Sequence, residues 1–247
     1  MVSLDGDPFV AQQLIQSLGE LNMTRPQKPN FLFIQTDQMT AFALSHYGNP
    51  VVKTPNLDKL AARGVVFQNA YCNNPICASS RFSMMSGQLS SRVGAYDNAA
   101  EFPAQVPTFA HYLVDQGYHT CLSGKMHFVG PDQLHGFQER VTTDIYPSDF
   151  GWTPDWLAEG HQLPPSGMSM RSVVEAGISE RSLQIDYDEE ACHQAEVKLW
   201  DYARNSPDQP FFLAVSFTHP HNPFTTQSKY WNLYDHDKIN MPTVTGK

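Results

Sequence analysis

Positive charge is scarce in this sequence: 16 lysines and arginines stand against 25 aspartates and glutamates, a formal net charge of -9. A protein that grips nucleic acid by neutralising phosphates needs the opposite balance, so no nucleic-acid partner is expected, while a locally positive site for a small anion stays open. Cysteine is scarce too. The four residues Cys72, Cys77, Cys121 and Cys192 form no C-x-x-C pair, which excludes a zinc ribbon and a disulfide scaffold. No apolar run is long enough to span a bilayer, and the opening MVSLDGD carries aspartates where a secretory signal needs basic residues. Internal repeats are missing as well. The expectation is a cytoplasmic protein with no membrane partner.

What is present alternates. NFLFIQT is a continuous apolar run, as in a strand buried on both faces, and it stops at Asp37. TPNLDKLAARG carries a helix start, Thr54 then Pro55, and a Gly64 stop. VVFQNA reads as a strand, followed by PICASSR and a short helix over FSMMSGQ. PTFAHYLVDQG is a helix capped by Thr108 and ended by Gly117, YHTCLSG a strand, YDEEACHQAEVKLWDYARN an amphipathic helix, and PFFLAVSF a second fully buried strand. Residues 1–29 read as an N-terminal extension and linker, and residues from about 130 to 180 as a long irregular stretch of the functional kind. Strands alternating with helices predict an α/β domain with a largely parallel sheet and helices on both faces.

Ligands of such sheets bind beyond the carboxyl ends of the strands. Asp37 follows the first predicted strand, Cys77 and Arg81 the second, Lys125 and His127 the third, His219 and His221 the fourth. A cysteine at a helix start beside an arginine sits in a positive field suited to a reactive thiolate or an anion. Each residue also has a plainer use. Asp37 could cap a turn, Cys77 could be a buried structural thiol, Lys125 and His127 could be a surface pair, and Trp152 could be packing. Cys72, Cys121 and Cys192 read as core thiols, and His135 is assigned no role.

CASSR resembles the C-x-P-x-R signature of type I sulfatases, with Ser79 standing where that pattern has proline or alanine. PNFLFIQTDQ, YDNAAEFPAQVPTFAHYL, LSGKMHFVGPDQLHGFQERVTTDIYPSDFGWTPDW and VSFTHPHNPF are similar to the choline-sulfatase branch, in the same order. The resemblance implies an alkaline-phosphatase-like fold, with residues 30–247 as the N-terminal part of a longer catalytic domain, incomplete at its C-terminus. It implies a sulfuric ester hydrolase acting on a small sulfate ester, choline sulfate in particular. Cys77 would be converted to formylglycine by a sulfatase-maturing enzyme, and its hydrate would attack sulfur. Asp37 and the modified Cys77 would hold Ca²⁺ or Mg²⁺. Arg81 and Lys125 would offset anionic charge, His127 would accept a proton, His219 would meet the sulfate or the leaving oxygen, and Trp152 would face the quaternary ammonium. A homo-oligomer is possible in the complete form. A phosphonate or phosphate monoester hydrolase and a non-catalytic chain remain the alternatives.

Overall fold

A computed structural model of the chain describes residues 28–146 and 170–240. The chain divides into two units, Met1–Asn30 and Phe31–Lys247, and the second carries the elements that follow. In chain order they are β1 (Phe31–Thr36), α1 (Pro55–Ala61), α2 (Cys77–Ser86), α3 (Ser90–Val93), α4 (Phe109–Asp115), β2 (His119–Gly124), β3 (Glu139–Arg140), α5 (Arg171–Val174), β4 (Gly177–Ile178), α6 (Leu183–Asn205), β5 (Phe211–Phe217), β6 (Thr225–Thr226) and α7 (Ser228–Trp231). The main sheet runs β1-β5-β2-β3 with every pair parallel, and β4 and β6 form a small second parallel pair.

Helix limits follow the local chemistry. Pro55 opens α1, Thr108 and His111 form a capping box on α4, and Ser182 Oγ accepts the Ile185 N–H at the start of α6. Strand periodicity then splits the core in two. On one sheet face Leu122, Phe212 and Ala214 meet Phe82 and Met85 of α2 and Ala110 of α4, with Phe102 stacked on Phe82 at 4.5 Å. On the other face Cys121, Leu213 and Val215 meet Ala195 and Tyr202 of α6.

Three expectations are corrected. β1 is not buried on both faces: Leu32 and Ile34, level with Leu213 and Val215, remain exposed, because α6 covers β2 and β5 and leaves β1 at the sheet edge among the described residues. Residues 65–70 form no strand. Val65 and Phe67 are exposed, and the segment is held by the Tyr47 hydroxyl on the Phe67 carbonyl at 2.8 Å rather than by a ladder. Cys72 and Cys192 are exposed rather than core thiols, one in a loop and one on the outer side of α6; Cys121 is buried, and burial with the nearby Glu139 charge pushes its thiol up to about 12.

His135, given no role by the sequence, is 1 % exposed, its ring 4.5 Å from Phe102 and 4.4 Å from Phe128, with Asp132 Oδ2 3.4 Å from Nδ1. Burial holds its pKa below the ordinary 6.5; the Asp132 charge opposes this, and His111 and Arg140 reinforce it. A histidine buried neutral contributes stability that is fully present above its unfolded pKa and is lost as pH falls toward its folded one. The urea midpoint is therefore expected to fall between pH 7 and pH 5, and the fall is expected to be smaller in His135→Leu. Equal slopes for both proteins in circular dichroism would place the acid sensitivity elsewhere.

Candidate active site

Parallel register sets the site. Thr36 pairs with Phe217 and Gly124 with Ser216, so Asp37, Lys125 and Thr218 leave the same edge of the sheet side by side. Helix α2 brings Cys77 to that edge at its first residue, and Arg81 one turn later. Asp37, Arg81, Lys125 and His127 are all buried, Lys125 completely.

The Asp37 carboxylate is the hub. Its Oδ2 is ion-paired with the Lys125 ammonium and lies 3.2 Å from Arg81 Nη2. Arg81 also donates from Nη1 to the Lys125 carbonyl at 2.7 Å and to Ser216 Oγ at 2.9 Å, so its guanidinium ties α2 to the ends of β1, β2 and β5. Burial opposes ionisation of Asp37, but the Lys125 and Arg81 charges outweigh it and hold the carboxyl below the ordinary 3.8. Cys77 Sγ lies 3.8 Å from Lys125 Nζ and 3.9 Å from Asp37 Oδ1. Burial pushes its thiol up, yet the His127 side chain and the Lys125 charge bring the net value below the ordinary 9.0, against the opposing Asp37 charge.

The structure thus gathers Asp37, Cys77, Arg81, Lys125 and His127. His219 follows β5 at the same edge and is held by Asp188 of α6, whose Oδ2 lies 2.7 Å from Nδ1; that bond, opposed by burial, raises its pKa above 6.5. Its ring is thus engaged with Asp188, apart from the ion-pair cluster around Asp37. Trp152 lies outside the described residues.

Sequence reasoning missed four neighbours. Tyr146 lays its ring 4.4 Å from Lys125 Nζ and 5.1 Å from the His127 ring. Asp144 and Asp188 accept backbone N–H groups of the site loops. Ser216, a polar residue inside the apolar run PFFLAVSF, was the one with a readable signal. A hard cation takes six to eight oxygens. Among the described residues no group of three or more His, Cys, Asp or Glu could hold a metal, so Asp37 and position 77 fit only one end of such a shell.

A buried carboxylate, two cations and a histidine surround a thiol at a helix start, at the carboxyl edge of a parallel α/β sheet. The chain belongs to the sulfatase family, whose profile matches residues 29–244. It is similar to the choline-sulfatase of Rhizobium meliloti (strain 1021), 48% identical over 220 residues, covering 88% of this chain and 43% of that protein. It is also similar to an ulvan-active sulfatase of Formosa agariphila, 38% identical over 233 residues, covering 90% of this chain and 42% of that one. Among solved structures it matches a phosphonate monoester hydrolase of Agrobacterium radiobacter with a TM-score of 0.62 at 24% identity, covering 87% of this chain and 45% of that one, a likeness of fold. The chain spans less than half the length of these relatives. Among the described residues no helix is long and apolar enough to cross a membrane.

Removing the hub charge strands two buried cations. Asp37→Asn is expected to lose roughly 3–5 kcal/mol of stability at pH 7. The ionised carboxyl stabilises above its unfolded pKa, and that contribution disappears as pH falls through the lower folded value. The variant is therefore expected to converge with the parent in strong acid. Urea titrations at pH 7 and pH 3 check this, and a difference that persists undiminished at pH 3 would exclude the charge as the cause.

Proposed function

We propose that this chain is the nucleophile-bearing part of a sulfuric ester hydrolase that acts on choline sulfate. The carrying observation is the placement of Cys77 at the first residue of α2, against Asp37, Lys125 and His127. Identity of 48% to a choline-sulfatase supports the substrate class. In this reading Cys77 is the residue that a sulfatase-maturing enzyme converts to formylglycine. When present, formylglycine supplies an activated hydroxyl with a built-in route for releasing sulfate, and a divalent cation, Ca²⁺ or Mg²⁺, supplies Lewis acidity.

The chain's own residues do the rest. Asp37 and the side chain at position 77 form this chain's share of the cation shell. Lys125, buried beside Cys77, balances the negative charge of the bound sulfate where low dielectric strengthens the attraction. Arg81 holds the Lys125 carbonyl and Asp37 in place and adds its charge from below. His127, beside the side chain at 77, takes the proton that this position must give up. His219, kept protonated to higher pH by Asp188, serves the leaving oxygen. Trp152 offers an aromatic face to the quaternary ammonium. A cytoplasmic setting belongs to the same reading.

Ser79 is fully buried, with no hydrogen-bond partner for its hydroxyl among the described residues. Ser79→Ala removes that stranded group and restores the alanine form of the signature. It is expected to gain about 1 kcal/mol of stability and to raise the fraction of Cys77 converted. The full-length protein co-expressed with a formylglycine-generating enzyme is expected to show conversion at Cys77 alone by peptide mass spectrometry. It is expected to turn over choline sulfate faster than phosphate or phosphonate monoesters. A Cys77 thiol left unmodified in both proteins, or a preference for phosphonate, would overturn the proposal.

A further inference from the structure

The irregular stretch after β3 closes on the site from outside. Thr142 Oγ1 accepts the Gly124 N–H at 2.7 Å, at the point where β2 ends. Gly124 has φ +98 there, and a Cβ on it would run into the Ser216 carbonyl, so the strand end passes β5 too closely for any side chain. Two residues further along the stretch, Asp144 Oδ2 accepts the Met126 N–H at 2.9 Å and the His127 N–H at 2.7 Å. The same oxygen lies 2.9 Å from Arg140 Nη2, and that arginine is anchored by Nε on the Thr142 carbonyl at 3.0 Å and by Nη1 on Gln133 Oε1 at 3.1 Å. Both partners of the pair are buried. Burial resists the Asp144 charge, but Arg140 and the two backbone donors hold its carboxyl below the ordinary 3.8.

These bonds fall on an unusual corner. His127 has φ +63, a left-handed conformation that a non-glycine residue keeps only where its surroundings impose it. The corner relates two side chains that must face one point: Lys125 before it and His127 at it. An extended chain would keep the two on one face but would carry His127 away from the sheet edge. The turned chain leaves both against Cys77. Tyr146, two residues past Asp144, then roofs Lys125 and His127.

We infer that Asp144, braced by Arg140, is a positioning residue: its carboxylate holds the Met126 and His127 amides, fixes the left-handed His127, and so aims Lys125 and His127 at position 77. The inference rests on the sulfatase reading for its kinetic consequence and on geometry alone for its structural one.

The test uses the full-length, Cys77-converted protein with Asp144→Ala and Arg140→Gln variants, in two arms. Hydrogen exchange is expected to accelerate at the Met126 and His127 amides by about tenfold or more in Asp144→Ala and by less in Arg140→Gln. The Cys121 and Ser123 amides inside β2 are expected to keep their protection. For choline sulfate, kcat is expected to fall about tenfold or more with KM within about threefold, the pattern of a misaligned reacting group rather than lost binding. Unchanged exchange at Met126 and His127 overturns the inference, as does an unchanged kcat with exchange accelerated. Loss of the fold in both variants also overturns it, since the pair would then support the domain and not the corner. If the parent protein hydrolyses no sulfate ester while exchange responds as stated, the proposed function falls and the assignment of Asp144 stands.

Discussion

A carboxylate taken out of water is costly, and the cost is met only when cations and hydrogen bonds close around it. Asp37 is such a carboxylate, and much of the domain is arranged to close around it. The Lys125 ammonium reaches it from the end of β2 and the Arg81 guanidinium from α2, while Arg81 also clasps β2 and β5 through the Lys125 carbonyl and Ser216. Helix α2 is therefore seated by charge at one end and by Phe82 and Met85 in the apolar core at the other. One carboxylate against two cations leaves a surplus of one positive charge at this spot, in a chain whose formal charge is -9. That local reversal of sign is what an anion would meet.

The strand-and-helix order was legible because it rests on periodicity and caps. The two apolar runs and the Thr108 and Pro55 helix starts appear where the sequence puts them. The convergence of Asp37, Lys125 and His127 was legible because parallel strands deliver their carboxyl ends to one edge, whereas Cys77 and Arg81, expected after a strand at 65–70, reach that edge on α2. What the sequence did not reveal depends on neighbours far along the chain. Whether Leu32 and Ile34 are covered is decided by where α6 lies, and Val65 and Phe67 have strand character with no strand beside them. Cys192 sits on an amphipathic helix, where one step around the axis separates core from water.

Arg81 shows a subtler limit. Its spacing from Cys77 marks it as part of the site, yet its donors are committed to Asp37, Ser216 and a backbone carbonyl. Sequence gives membership of a cluster; only the hydrogen bonds separate groups that can meet a ligand from groups that hold others in place. The stretch between β3 and Tyr146 makes the same point. It has no periodicity to read, but its side chains cap backbone groups that neither strand nor helix satisfies.

The seating of α2 also sets an order of events. Cys77 is the first residue of a helix whose Ala78, Arg81, Phe82 and Met85 are buried in the finished domain. Its own sulfur is walled by Asp37 and Lys125. Any extended shape of residues 77–81 is given up once α2 forms and Arg81 engages the ends of β1, β2 and β5. Access to the Cys77 thiol and closure of the domain are thus opposed: the thiol is open before α2 docks and half-buried afterwards.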